Sequence, residues 1–316
     1  MSDQFSNRLS APTPAVLLFG EVLMDRFPDR EVLGGAPFNV ARHLRGFGLA
    51  PVLVTRVGND EAGTRVLRAM DGFGLARHGV QHDSAHATGR VEIRLDANGH
   101  SFDILPDQAY DHIHANVARL VALSTRPAMI YFGSLAQRAG SHLALRELLR
   151  ACDGHNFLDV NLRDPWVRED ILRWSLGQAD TVKVNEEELS RIADMLDLPV
   201  GTPEARAAGM IAAFDLRALL VTRGEHGAWW LDADGRREAV AGEPVADLVD
   251  SVGAGDAFSA VCMLGHLFNW PVPETLRRAR RFAAEICRLR GAIPGDDTFY
   301  APFIEDWRAN SEAAPP

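Results

Sequence analysis

The chain has 316 residues, 47% of them hydrophobic, and a net charge of −10, which describes a globular chain long enough to bury a sizeable core. That acidity excludes nucleic acid or an anionic membrane surface as the main partner, while leaving room for a small anion held by an arginine or by helix N-termini. Three scattered cysteines, Cys152, Cys262 and Cys287, form no CxxC pair; they argue against a disulfide scaffold or a cysteine-held zinc site and fit a reduced, cytoplasmic setting.

Residues 1–14 are polar with two prolines and are expected to fray. Val16–Phe19 is too short an apolar run for export, and no stretch of roughly 18 apolar residues predicts a membrane span. Strands are predicted at 15–20, 52–57, 128–134, 156–161, 180–184, 217–222 and 227–232. Helices are predicted at 37–47, 60–72, 140–152, 166–175, 186–196, 203–214, 254–268 and 273–290. This alternation predicts an α/β fold with a mostly parallel sheet covered on both faces, in one domain over 15–310. Residues 22–33 and 87–106 break the pattern with polar-alternating strands and a turn at Asn98-Gly99. They read as a small β-lid outside the main sheet, with an antiparallel edge extension as the alternative. Of the 33 basic residues one alone is lysine, Lys183, which reads as a coding bias. Trp229 and Trp230 fall on alternate strand faces, so one belongs to the core. His112 and His114 show no partner pattern.

Five stretches carry polar residues suited to chemistry. In "DSVGAGDAFSA", Gly253 and Gly255 permit backbone conformations that let successive amides, with that of Ala254, converge at a helix N-terminus. An anion hole there, with Asp256 beside it, suits phosphoryl transfer with a carboxylate base. Read alone, it is also a glycine turn with an ordinary N-terminal aspartate. In "GEVLMDRFPDREVLGGAPFNVARHLRGFG", Asp25, Gly34, Gly35 and Asn39 combine close backbone approach with hydroxyl-binding groups, as a sugar would need. "FLDVNLR" places Asp159, Asn161 and Arg163 at a strand's carboxyl end, where Arg163 could grip a phosphate. "VKVNEEEL" puts Asn185 and Glu188 at a strand–helix junction, where they either order a hydrated Mg2+ ion or simply cap the helix. "LLVTRGEHGAWWLD" is a hairpin whose loop, with Thr222, Gly224 and Gly227, is open to a nucleotide or is only a hairpin. Neither GxxxxGK[ST] nor GxGxxG occurs.

Taken together these segments resemble the ribokinase-like (PfkB) carbohydrate kinase family, in order and spacing, over roughly residues 16–300. The resemblance rests on "GGAPFNVARHLRGFG" and "DSVGAGDAFSA" as a pair. It implies an ATP-dependent kinase with a large α/β domain and a β-lid over the sugar. Asp256 would be the catalytic base and Gly253, Ala254 and Gly255 the anion hole. Asp25, Gly34, Gly35 and Asn39 would hold the sugar, and Arg163 the phosphates. Asn185 and Glu188 would organise Mg2+, with Glu188 acting through water. Thr222, Gly224 and Gly227 would border the nucleotide, and Asp250 would match a K+-binding segment found in some members. Within the family, "FGEVLMDRFPD" and "DILPDQAYDHI" are most similar to bacterial fructokinases, implying fructose phosphorylated at its 6-hydroxyl. Ribokinase, 2-keto-3-deoxygluconate kinase, nucleoside kinase and a non-catalytic sugar sensor are the alternatives. A homodimer through the lid is the partner the family implies.

Overall fold

The computed structural model describes residues 13–96 and 99–312. Residues 1–12 of the expected frayed terminus and Asn98 of the expected turn lie outside them. The strands of the first half are β1 (Val16–Phe19), β2 (Leu23–Arg26), β3 (Glu31–Gly34), β4 (Val52–Gly58), β5 (Val80–Asp83), β6 (Gly89–Asp96) and β7 (Gly99–Ile104). They continue as β8 (Met129–Phe132), β9 (His155–Asp159), β10 (Thr181–Asn185), β11 (Ala218–Thr222), β12 (Gly227–Asp232) and β13 (Arg237–Ala241). The helices are α1 (Ala36–Gly46), α2 (Glu61–Gly72), α3 (Ala115–Thr125), α4 (Ala139–Leu149) and α5 (Glu169–Leu176). After them come α6 (Glu186–Met195), α7 (Pro203–Phe214), α8 (Ala254–Leu267), α9 (Val272–Ile286) and α10 (Ala301–Glu312).

Nine strands form one sheet in the order β13-β12-β11-β10-β9-β8-β1-β4-β5. From β11 to β5 neighbouring strands run parallel, and only β12 is reversed, pairing antiparallel with both β11 and β13. Side chains of β1 alternate between the two faces, as a period of two requires. Val16 and Leu18 join a core with α1, α2, α8, α9 and α10, while Leu17 and Phe19 join one with α3 to α7. The strand order reverses direction between β1 and β8, which is where sheets of this kind bind ligands at their carboxyl ends. A separate four-stranded sheet, β3-β2-β6-β7, forms the lid over a small core of Leu23, Val91, Ile93, Ile104 and Tyr110.

The predicted elements are present, with five boundary differences; two are the strand expected to reach 134, which stops at Phe132, and the helix expected to reach 152, which ends at Leu149. The strand expected to reach residue 161 stops at Asp159 because Asn161 takes a left-handed backbone with φ of 47°. The helix expected from 166 begins at Glu169, and that expected to 290 ends at Ile286. Helices α3 and α10 and strands β5 and β13 are additions. Trp229 is buried on one face, and Trp230 packs against the opposite core.

Packing distinguishes two helix-terminal glycines that sequence alone treats alike. A Cβ at Gly46 would lie 2.4 Å from the ring of the buried Tyr300, whereas one at Gly72 would meet nothing within 4 Å. Gly46→Ala should lower unfolding free energy by about 1–3 kcal/mol through overpacking. Gly72→Ala should raise it by about 0.4–1 kcal/mol by restricting the unfolded chain. Urea unfolding of both variants checks the pair; equal effects would contradict the packing described.

Candidate active site

Two helix N-termini meet at the carboxyl end of β1. Helix α1 begins at Gly35, whose φ is 107°; a Cβ there would lie 2.6 Å from the Glu21 carbonyl oxygen, so glycine is required at that approach. Helix α8 begins at Gly253, also left-handed at φ 81° and pressed against Ala292. The two starts bring Asn39 and Asp256 together, and Asn39 Nδ2 donates to Asp256 Oδ2 at 2.8 Å. The Ala254 amide turns back onto the Ser251 carbonyl at 3.3 Å, and the Ala257 amide makes the first helical bond, to Gly253, at 2.9 Å. The amides of Gly255 and Asp256 stand in the first turn, which has no intrahelical acceptor to offer them. Of the expected Gly253–Gly255 anion hole, the Gly255 amide thus stands outside the helix's own ladder at its positive end, the Ala254 amide is taken by Ser251, and the Asp256 amide is an addition.

Three carboxyl groups surround this point. Burial raises Asp256 to about 6, against the Asn39 hydrogen bond, with Asp159 raising it further and Lys183 and Arg163 lowering it. Asp25, on lid strand β2, is likewise raised by burial to about 6 and opposed by Arg163. A Cβ at Gly34 would lie 2.6 Å from Asp25 Oδ2, so the glycine makes room for that carboxylate. Glu21 leaves β1 into the same space. It is only 4% exposed and is raised by burial to about 7, against the backbone amides of Glu21 and Ala36. Asp256 adds to that rise and Arg163 opposes it. The Arg163 guanidinium, on an exposed residue, therefore serves all three. Sequence reasoning missed Glu21, although an acidic residue inside "VLLFGEVLM" was a signal of a buried charge.

Beneath α8 lies a second missed residue. Lys183, the sole lysine, is buried in β10 with Nζ 2.9 and 3.0 Å from the two oxygens of Asp159 on β9. Burial pulls the ammonium's pKa down, but the Asp159 carboxylate more than reverses this and leaves it above its ordinary value. Ser259 Oγ donates to Asp159 at 2.7 Å and the Tyr131 hydroxyl at 3.3 Å. A Cβ at Gly255 would lie 3.1 Å from Lys183 Nζ, so the lysine tip supports the turn carrying Asp256. Its place between Val182 and Val184 in an apolar strand was the available signal.

Further along the sheet the strand ends make a shelf. Asn185 and Thr222 are register partners on β10 and β11. Asn185 caps α6, accepting from the Glu188 amide at 2.7 Å, while Glu188 accepts from the Asn185 amide at 2.9 Å and the Leu162 amide at 2.7 Å. Both Glu188 oxygens thus hold backbone, and the residue ties the β9 and β10 ends together. Each oxygen retains a second lone pair, which fits a metal-bound water better than direct ligation. Thr222 Oγ1 donates to the Val184 carbonyl at 3.4 Å. Gly224 opens the turn and Gly227 closes it, packed against the Val240 carbonyl. Asp250 accepts from the amides of Val252 at 3.0 Å and Gly291 at 3.2 Å, stitching the loop before Gly253 to a second loop.

A carboxylate at a helix N-terminus, at the switch point of a parallel α/β sheet and beside a β-lid, is an arrangement suited to phosphoryl transfer. The chain belongs to the pfkB family of carbohydrate kinases, whose model matches residues 4–298, and is an ATP-dependent sugar kinase with the ribokinase-like fold. It is 27% identical over 309 residues to Fructokinase-1 of Oryza sativa subsp. japonica, covering 88% of this chain and 93% of that protein. It is 29% identical over 287 residues to the fructokinase of Klebsiella pneumoniae, covering 83% and 87%. Among solved structures, fructokinase with bound ATP from Xylella fastidiosa superposes with a TM-score of 0.80 at 22% identity, covering 93% of this chain and 99% of that one.

Removing Lys183 would leave the Asp159 carboxylate buried without a counter-charge. Lys183→Met should destabilise the fold by about 3–5 kcal/mol, and adding Asp159→Asn should restore part of the loss. Urea unfolding of the single and double variants measures this; a silent single variant would contradict the supporting role.

Proposed function

We propose that the chain transfers the γ-phosphoryl group of ATP to the 6-hydroxyl of D-fructose, with Asp256 as proton acceptor. The observation that carries this reading is the Asp256 carboxylate, fixed on one oxygen by Asn39 in the first turn of α8. Its free oxygen is available to a sugar hydroxyl. The hydroxyl proton passes to Asp256, the sugar oxygen bonds to the γ-phosphorus, and ADP departs as the leaving group. Amides of Gly255 and Asp256 face the charge that gathers on the transferred group, and the Arg163 guanidinium adds a second positive partner. Positioning and charge neutralisation supply most of the rate, since little covalent work falls to the protein.

On the sugar side, Asn39 Oδ1 is buried and has no hydrogen-bond partner among the described residues, a site for a donating hydroxyl. Asp25 and Gly35 supply a carboxylate and a close backbone wall, with β2 carrying Asp25 into the lid. Glu21 presents a further carboxyl next to Asp256. With three acidic groups and Arg163 as their shared guanidinium, the pocket suits a neutral polyol. An acid sugar such as 2-keto-3-deoxygluconate would place a fourth carboxylate there. The relatives named fructokinase support the particular acceptor.

For the nucleotide, Asn185, Thr222, Gly224 and Gly227 border the shelf. The exposed apolar residues Leu248, Val249 and Val252 precede Gly253 and give a base a surface to cover. Mg2+, held through water near Glu188 and Asn185, would neutralise triphosphate charge.

ADP release with Mg-ATP should be strong with fructose and weak with ribose, 2-keto-3-deoxygluconate and adenosine. Asp256→Asn should lower turnover by about 10²–10⁴-fold while fructose still binds. Strong turnover on another acceptor would remove the fructose assignment; an active Asp256→Asn enzyme would remove the base.

A further inference from the structure

We propose that His86, Asp107 and His112 form a binding site for a divalent transition metal such as zinc, at the feet of the lid hairpin and apart from the catalytic carboxylates. His86 lies just before β6, and Asp107 just after β7; His112 ends the short helical turn Ala109–His112 that follows. One ligand atom from each residue falls within 4.8 Å of the other two. His112 Nε2 is 2.7 Å from Asp107 Oδ1, and His86 Nε2 is 3.6 Å from the same oxygen. The two imidazoles stack with centroids 3.7 Å apart and planes 15° from parallel.

The support behind His86 is what distinguishes this group from a chance surface cluster. His86 Nδ1 is 3.0 Å from Asp83 Oδ2. Asp83 is 2% exposed and is itself fixed by the amides of Ala85 and His86 and by Arg56. A buried carboxylate holding one imidazole nitrogen as N–H fixes the tautomer and leaves the lone pair on the other. That lone pair on Nε2 faces the Asp107 carboxylate, acceptor against acceptor. A cation between them turns the conflict into ligation.

The donor spacing is close to what zinc needs, and the His112 ring must turn out of its stack on His86 so that both in-plane lone pairs point at one ion. Zinc sits about 2.0–2.2 Å from imidazole nitrogen or carboxylate oxygen, which places tetrahedral donors about 3.3–3.6 Å apart. The His86–Asp107 pair already has this separation. The His112–Asp107 pair needs to open by less than about 1 Å, and Asp107, with its side chain 72% exposed, is free to give it. Two imidazoles and one carboxylate favour zinc, nickel or cobalt over magnesium or calcium. Three protein ligands leave a fourth position for water. Because His86 and Asp107 bracket β6 and β7, the metal would clamp both feet of the hairpin, beside the existing bond from the Ala109 amide to the Ala87 carbonyl.

Isothermal titration of the tag-free chain with ZnCl2, and visible spectra with CoCl2, test this. The expected result is one saturating equivalent of zinc and cobalt d–d bands of a low-coordinate site, both lost in His86→Ala and in His112→Ala. Asp83→Asn should weaken zinc binding by about 10–100-fold, and zinc should slow hydrogen exchange in residues 86–112. His112→Gln, which keeps side-chain bulk, guards against a folding defect in the alanine variants and should also lose the bands. No zinc binding by the parent chain, or binding retained in the His86→Ala/His112→Ala double variant, would overturn the proposal.

Discussion

The Asn39–Asp256 hydrogen bond joins two helices whose contacting residues are 217 positions apart in the chain. Making it requires both helices to start at the same place, and that requirement reaches through the fold. Gly35 has to let α1 begin against the chain leaving β1. Gly253 has to turn α8 into the sheet's carboxyl edge. The parallel strands between them have to bring β1, β8, β9 and β10 side by side in that order, so that Lys183 can stand under Gly255. If any of these shifts, the carboxylate loses its bearing on an incoming hydroxyl.

The site is electrostatically expensive, and the arrangement explains why it nevertheless folds. Asp256, Asp25 and Glu21 are all raised by burial into the range of about 6 to 7. Each gives up solvation on folding, and Glu21 and Asp256 also repel one another. Arg163 offsets part of this from the exposed side, and the Lys183–Asp159 pair holds the floor from below. A ligand that brings hydroxyl donors and excludes water fits such a pocket better than one that brings another negative charge. In the function proposed, the lid would serve the same end, because β2 carries Asp25 and would present it to the sugar.

Much of this was legible in the sequence because its signals were local. Alternating strand and helix patterns gave the sheet and its two faces, and the glycines before Asn39 and Asp256 marked the two helix starts. What the sequence hid was relational. Lys183 became meaningful only when register put it opposite Asp159. Glu21 became a site residue only when β1 delivered it beside Asp256. His112 showed no partner pattern because the fold, not sequence spacing, stacks it on His86. Among secondary elements, α3 was missed because Val117, Leu120 and Leu123 are exposed, which spoils a one-sided apolar stripe. β5 and β13 are short, polar edge strands with little alternation to read.

The pH dependence of kcat/KM for the sugar tests the central claim most directly, measured in the parent enzyme, in Glu21→Gln and in Asp25→Asn. A carboxylate that must be ionised to accept a proton is active above its pKa and silent below it. Activity should therefore fall as pH drops through about 6, the value to which burial lifts Asp256, and this limb should persist both in Glu21→Gln and in Asp25→Asn, which removes the other carboxyl raised to about 6. A flat profile across about pH 5–8, wider than the span in which such a base titrates, would contradict Asp256 as the base. So would a limb that disappears with Glu21 or with Asp25.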